Sequence, residues 1–505
     1  MSRQFSLESY YDTVIIGAGL GGLSCGAYLA KGGKSVLICE QQSRPGGYCV
    51  GYSSPTGKFQ VELSLQYLMM CDEGNWVDVV LRELGVRDRI NFKLLDKFLR
   101  IIGPDYDVAL THDHAQTECE LVSAFPSEEK KISRLMRDAR QLSRLTHIPI
   151  DSIELMSRRD KISAFLQMLP ISSLLKRYGT MTVMDGIQMF HDPRFQAFLF
   201  SLVPRPEAAF FATLLMLSLT LVWLPSHGGA NALVKVFLDA LRENNGTIAC
   251  NTLVRRICVN NGRAVGVELA NGQRINAESV VSNADAHLTF MQMLSPNDFH
   301  PRFLNELGQR PIAPSIFSVW LGVDLDLHSF GHTTGRVIYN PTHDLSALID
   351  TDPMQCSLTV NMYSLDDPSV APPHHHTVLI QALFPYNYNE TWGVKPDGIR
   401  GECYQQIKND VANALIKSAE TILPSLSQHV LEREITTPLT YERYTLNKYG
   451  SIHGWLQTPE WVFSQASQRT PVKRLYQTGH WIVPGGIPSV IRSGRNAAKL
   501  VLADL

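Results

Sequence analysis

Residues 13–40 constrain this chain more than any other segment. Thr13-Val14-Ile15-Ile16 is a short β-branched run of the kind that forms a buried parallel strand. It leads straight into Gly17-Ala18-Gly19-Leu20-Gly21-Gly22, and small and apolar residues then recur at helical spacing from Leu20 to Lys31. Ser35-Val36-Leu37-Ile38-Cys39 reads as a second strand, and Glu40 closes it eighteen residues after Gly22. A G-x-G-x-x-G alone is a weak signal. Between a strand and a helix, with an acid ending the next strand, it is the arrangement that binds dinucleotides. Gly17 permits the tight turn, Gly19 lets backbone approach a pyrophosphate, and Gly22 lets helix and strand pack closely. The helix N-terminus offers free N–H groups to the phosphates. Glu40 is placed to accept hydrogen bonds from a ribose hydroxyl, and its charge disfavours a 2′-phosphate.

The chain has 505 residues, enough for two or three domains with sizeable cores. Its 44% hydrophobic and 19% charged content is that of an ordinary globular protein. A net charge of −2 gives no field that would recruit nucleic acid. None of the nine cysteines forms a C-x-x-C pair, which speaks for reduced thiols in a cytoplasmic setting over a zinc or disulfide framework. Arg3, Glu8 and Asp12 precede the first strand, so residues 1–12 hold no signal-peptide apolar core. The sequons at Asn245 and Asn389 then carry no meaning.

Beyond the first unit, residues 75–190 read mostly as helices: Val77, Val80, Leu81 and Leu84 recur at helical spacing, as do Leu135, Leu142 and Leu145. Pro149, Pro170, Pro193 and Pro204 punctuate the stretch. Ala208 to Leu224 is seventeen residues without a charge, at the short limit for a membrane span, and is expected to be a buried helix. A helix is expected from Asn231 to Glu243, then β-structure turning at Asn260-Asn261-Gly262 and Asn271-Gly272, with a return strand at Val280-Val281-Ser282-Asn283. Ser315–Val323 and Thr377–Ala382 read as strands, and Glu402–Leu423 as a helix. There is no internal repeat.

Six residues past Glu40 stands the twin glycine Gly46-Gly47. With the first fingerprint it resembles the flavoprotein superfamily of amine oxidases, carotene desaturases and GDP-dissociation inhibitors. The resemblance continues at Leu224-Pro225-Ser226-His227-Gly228-Gly229, followed by a helix and Asn245-Gly246-Thr247, where Asn245 replaces a customary glycine. Val281-Ser282-Asn283-Ala284-Asp285 is similar to the family strand that ends this insertion. Leu475-Tyr476-Gln477-Thr478-Gly479-His480 and Pro484-Gly485-Gly486-Ile487-Pro488-Ser489-Val490 resemble the closing motif of the phytoene desaturase, carotenoid isomerase and retinol saturase group. The resemblance implies FAD, held by Gly17, Gly19, Leu20, Gly22, Glu40, Gln41, Gly46, Gly47, Val254, Gly479, Gly486 and Val490. It departs at Val61 to Tyr67: Glu62 keeps the family's carboxylate, Ser64 stands where glycine is usual, and Gln66 where a retinol saturase-like chain has histidine.

The fold class expected is mixed α/β: a Rossmann-like FAD-binding domain with an inserted mixed-sheet and helical substrate domain. The division expected is 1–95, 225–290 and 431–505 for the FAD part, 96–224 for a helical substrate and membrane-contact region, and 291–430 for the substrate sheet. The resemblance implies oxidation, reduction or isomerisation of C=C bonds in a long apolar molecule, a carotenoid or other isoprenoid polyene. Two alternatives are a flavin amine oxidase and an isoprenoid carrier of the GDP-dissociation-inhibitor type. No residue is assigned a catalytic role. Tyr441, Glu442, Arg443 and His480 lie in the closing motifs, either near the flavin or holding loops through hydrogen bonds and salt bridges. Glu62 is a contact for ribose, flavin-bound water or a nearby loop.

An insoluble substrate has to be taken from a bilayer. From Met156 to Thr180, Arg158, Arg159, Lys161, Lys176 and Arg177 flank an apolar stretch and face one acid, Asp160. This suits either an interfacial helix on anionic lipid, making the protein peripheral on the membrane, or an amphipathic helix packed on the core. His374-His375-His376 follows two prolines and reads as a solvated loop, since adjacent residues cannot all face one metal ion.

Overall fold

The computed structural model describes residues 7–63, 67–143, 150–219, 221–332, 334–395, 398–462 and 467–505. Ser64, Gln66, Leu145 and Pro149 of the sequence argument lie outside them.

The opening unit forms as its pattern predicts. Strand Tyr10–Ile16 runs parallel to Val36–Cys39, with helix Leu20–Lys31 between them in sequence. Strand Arg274–Ser282 lies parallel on the other side of Tyr10–Ile16, pairing Val14 with Val280. Thr247–Ala249 extends the sheet beyond Val36–Cys39, and Leu475–Gln477 pairs in parallel with the end of Arg274–Ser282. Three segments distant in sequence thus share one sheet. Helix Leu20–Lys31 packs against the C-terminal helix Ile487–Asp504 and helix Gly229–Glu243, which buries Leu23, Leu29, Phe237 and Val501.

The hairpin at Asn261-Gly262 has φ of 51° and 69°, the two left-handed positions that a two-residue turn requires. Asn245 has φ 62°, a conformation asparagine tolerates better than most L-residues. That explains how it serves where a glycine is customary.

A second seven-stranded sheet orders its strands Val430–Thr436, Ser315–Val323, His376–Phe384, Leu358–Asn361, Arg336–Tyr339, Lys97–Ile102 and Asp107–Thr111. Val430–Thr436 straddles the expected boundary at 430. Along Ser315–Val323 the alternation is strict: Phe317, Val319, Leu321 and Val323 join the core under helix Glu402–Ala419, while Trp320 joins the core on the other face. The expected helix 402–423 stops at Ala419.

Two sequence expectations fail. The stretch 75–190, expected to be mostly helical, is so at Trp76–Leu84 and from His114 onward, but between them it forms strands at Phe92–Leu94, Lys97–Ile102 and Asp107–Thr111. Gly103-Pro104 breaks any helix there, and alternate burial of Val108 and Leu110 is a strand period. The apolar run 208–224 is not one helix: Phe210–Ser218 is helical, and Trp223–Pro225 is a strand paired with Phe92–Leu94. Val222 and Trp223 favour extended backbone, and Pro225 cannot continue a helix. No helix among the described residues is long and apolar enough to cross a membrane.

The helix Arg158–Met168 buries none of its residues. Of the histidine triplet, His374 is an exposed left-handed turn residue, and His376 instead begins a strand, its Nδ1 2.9 Å from the Ser364 hydroxyl.

Candidate functional site

Three glycine segments meet at the carboxyl ends of the first sheet. Gly19 bridges to Gly46, and a Cβ on Gly47 would lie 3.1 Å from Gly19 Cα. A Cβ on Gly21 would lie 3.1 Å from Gly479 Cα and 2.6 Å from Asn283 Oδ1. Asn283 supports the turn by donating from Nδ2 to the Gly17 carbonyl at 3.4 Å. Backbone surfaces therefore line this hollow where side chains would fill it, as a diphosphate held by N–H groups requires. Gly22 acts beneath the hollow: a Cβ there would collide with the Gly17 carbonyl, so the missing side chain lets the helix sit on the loop.

Glu40 is buried. Its Oε2 accepts the Ala18 N–H at 2.8 Å and its Oε1 the Gln42 N–H at 2.8 Å. The carboxylate thus shapes the loop as well as facing the hollow. Burial raises its pKa above the usual carboxylate value, and the backbone donors oppose that rise. Gln41 donates from Nε2 to the Tyr444 carbonyl at 3.0 Å, joining this rim to the C-terminal region.

The hollow opens into one cavity of about 1350 Å³. Of the twelve residues expected to hold cofactor, all but Gly22 line it. Its other walls come from the helical layer and the second sheet, among them Met69, Phe98, Leu99, Leu215, Met216 and Ile338. The pocket of a single small ligand measures roughly 300–1000 Å³, so this space suits a long cofactor together with a second molecule.

Polar side chains also line the wall, among them Arg205, His453 and His480. Arg205 reaches His453 Nδ1 through Nη2 at 3.1 Å, and its Nε is buried without a hydrogen-bond partner. His453 packs on Gly485, and His480 packs on Gly454. Withdrawal from water brings the Arg205 guanidinium down to about 10. It also lowers His453 to about 3, with the Arg205 and His480 charges adding to the effect, and His480 to about 4. Both imidazoles are neutral at neutral pH. The His480 Nε2 is buried and has no partner.

The other polar residues of the closing motif divide. The Tyr441 hydroxyl is within 2.8 Å of Ser318 Oγ and accepts from the Thr436 hydroxyl at 3.2 Å, while its ring lines the cavity. Glu442 faces away, accepting the Tyr386 hydroxyl and the Tyr449 N–H. The Arg443 side chain lies against the Tyr444 ring. Glu62 is buried against Gly51 beside Asn231, outside the cavity wall. Sequence reasoning missed Arg205, His453, Asn283 and Tyr48. Of these, Asn283 sat in Val281 to Asp285, and His453 in the neighbouring segment Gly450-Ser451-Ile452-His453-Gly454-Trp455, which precedes the closing motif. Tyr48 follows the twin glycine directly, and its hydroxyl donates to the Ser451 carbonyl at 2.7 Å.

A Rossmann-type sheet closed by the chain's own C-terminal helix, with glycines from both ends around one hollow, defines a dinucleotide-binding flavoprotein fold. Residues 20–502 match the model of the flavin-containing amine oxidoreductase family. The chain belongs to that family, and FAD is its cofactor. It is 26% identical to prolycopene isomerase 1, chloroplastic, of an Oncidium hybrid cultivar, over 98% of this chain and 84% of the relative. It is 23% identical to the lycopene-forming phytoene desaturase of Pseudescherichia vulneris, over 98% and 99%. It is 22% identical to the all-trans-retinol 13,14-reductase of Danio rerio, over 97% and 86%. Among solved structures, an oxidoreductase from Methanosarcina mazei superposes with a TM-score of 0.62 at 19% identity, covering 96% of this chain and 99% of that one. A putrescine oxidase variant superposes at 0.66 with 14% identity, covering 98% and 99%. These two share the fold.

Proposed function

We propose that this protein acts on carbon–carbon double bonds of a long apolar polyene, an isoprenoid of the carotenoid type, bound beside FAD. The observation that carries the reading is the single cavity running from the glycine hollow to walls of leucine, methionine and phenylalanine. FAD supplies exchange of a hydride or electrons with a C–H or C=C group held against its ring. The chain supplies position and dryness. Gly17, Gly19, Leu20, Glu40, Gln41, Gly46, Gly47, Val254, Gly479, Gly486 and Val490 would hold FAD, with Gly22 shaping the turn. The apolar wall excludes water and aligns the polyene. His453 and His480 are neutral at neutral pH, so the charge of this cluster is that of Arg205. Relatives that isomerise, desaturate and reduce support this substrate class.

The same reading includes attachment to a membrane surface through helix Arg158–Met168. Ile162, Phe165 and Leu166 on that helix are 62%, 65% and 56% exposed, beside Arg158, Arg159 and Lys161. Basic and apolar side chains together suit the headgroup region of anionic lipid. Leu215, on the cavity wall, is also exposed, giving the cavity an apolar outer edge.

The test is anaerobic incubation of oxidised and of reduced holoenzyme with a panel of polyenes, followed by separation of products. Isomers formed only by the reduced form, or dehydrogenated products formed only by the oxidised form, are the outcomes expected. Unchanged polyenes in both would sink the reading.

A further inference from the structure

Among the basic residues that line the cavity, Arg336 lies far in sequence from Arg205 and has no hydrogen-bonded partner of its own among the described residues. Arg336 opens strand Arg336–Tyr339 in the second sheet and lines the cavity with Ile338, Thr359 and Gln381. Its Nε is buried and has no hydrogen-bond partner. Among the described residues, Arg336 forms no ion pair and its side chain no hydrogen bond; its guanidinium carbon lies 5.7 Å from the centre of the Tyr67 ring. The nearby carboxylate of Asp366 accepts the Tyr67 hydroxyl at 3.3 Å and packs against Gly335. Burial lowers the Arg336 pKa, and no carboxylate contributes to it; only the Tyr67 and Tyr363 side chains oppose the lowering.

Gln381 and Ser357 on this wall already have partners. Gln381 donates to the Leu63 carbonyl at 3.3 Å and to Ser318 Oγ at 3.2 Å, and its Oε1 accepts from Asn361 at 3.2 Å. Ser357 donates to Asn340 Oδ1 at 2.7 Å. Arg336 is a charged group on this wall left to a ligand. A guanidinium does not shed its proton to escape burial, so it is costly in an apolar cavity until an anion joins it. A planar fork of donors matches carboxylate and phosphate alike; one unpaired cation in an apolar wall balances the single charge of a carboxylate, which it binds with two parallel hydrogen bonds.

We propose that Arg336 is a carboxylate subsite, so that the cavity takes a long apolar chain carrying a carboxylate at one end. This rests on the reading of the cavity as a polyene site. It narrows that site from hydrocarbons to isoprenoid or fatty acids, whose charged end anchors at Arg336 while the unsaturated chain lies along the wall.

The experiment compares all-trans-retinoic acid with all-trans-retinol, which share a carbon skeleton and differ at the end group. Binding to holoenzyme is read by quenching of tryptophan fluorescence, and flavin content is checked by visible absorption. Wild type is expected to bind the acid about tenfold or more tighter than the alcohol, the worth of a charge-assisted pair. Arg336→Gln erases that preference and leaves alcohol affinity within about twofold, while Arg336→Lys, which keeps the charge without the fork, retains part of it. Equal binding of acid and alcohol by wild type overturns the proposal, and so does an Arg336→Gln protein that weakens both ligands alike. Turnover is not read, so a failure of double-bond chemistry would leave an acid preference standing.

Discussion

The Glu40 carboxylate holds the Ala18 backbone N–H at 2.8 Å, fastening the end of the second strand to the middle of the glycine loop. Its other oxygen holds Gln42, so both sides of this rim depend on one side chain. Glu40→Gln leaves an amide donor facing one of two N–H donors. The expected cost is about 1–3 kcal/mol in the loop, with FAD affinity falling about tenfold or more. Flavin-to-protein ratio after gel filtration and the melting temperature report the two effects separately.

Gly22→Ala tests the packing below the loop. The added Cβ would run into the Gly17 carbonyl, and backbone cannot yield as a side-chain tip can. The loop must shift, and the turn that Gly17 makes at φ 92° shifts with it. The purified variant is expected to be colourless, or nearly so. A variant with full flavin content would show that the helix–loop contact does not set the cofactor site.

The opening unit was legible because its signals are local: a strand, three glycines and an acid, all within 28 residues, from Thr13 to Glu40. The closing glycines were legible only as motifs, and their approach to Gly21 depends on Asn283, a contact that spacing does not reveal. Strands 92–111 were missed because short alternating segments resemble pieces of helix until their pairing partners, from residues 223–225 and 336–339, are known. The run 208–224 misled because uniform apolarity erases periodicity, so that helix and strand read alike. Arg205 and Arg336 gave no signal. A lone arginine in sequence says nothing of burial, and both become informative only when a cavity forms around them.

The two cavity histidines set an acid limit. His480 is held near 4 and His453 near 3 by withdrawal from water, against an ordinary value of 6.5. Below 6.5 the unfolded chain therefore takes up protons that the folded protein refuses. Stability from this source is fully present above pH 6.5 and is lost progressively as pH falls toward 4. Melting temperatures from pH 7.5 to 4.5 should fall, and His480→Asn should flatten the fall because asparagine does not titrate. A variant with the wild-type slope would remove His480 from this account.

Arg495 locks the C-terminal helix to the body of the protein. Its guanidinium pairs with both oxygens of Glu83, at 2.6 and 2.8 Å, and with Asp151 at 2.5 Å, with only 3% of its side chain exposed. Arg495→Met keeps the packing volume but leaves two carboxylates together. The expected loss is about 2–3 kcal/mol, below the full cost of breaking a buried pair because both acids still touch water. Urea denaturation measures it, and a midpoint unchanged from wild type would place the helix's stability in its apolar face alone.

Helix Arg158–Met168 provides the cleanest separation of surface from core, since none of its residues is buried. Charging its apolar side chains should therefore leave the fold untouched while removing whatever it binds. Phe165→Glu with Leu166→Glu places two anions between Arg158, Arg159 and Lys161 and the lipid. Wild type is expected to sediment with phosphatidylserine-containing vesicles at low salt and to be partly released by high salt, as screening weakens a basic patch on an anionic surface. The double variant should stay in the supernatant with its flavin content and melting temperature unchanged. If wild type also stays in the supernatant at low salt, the exposed phenylalanine and leucine do not serve a membrane, and the attachment reading is lost.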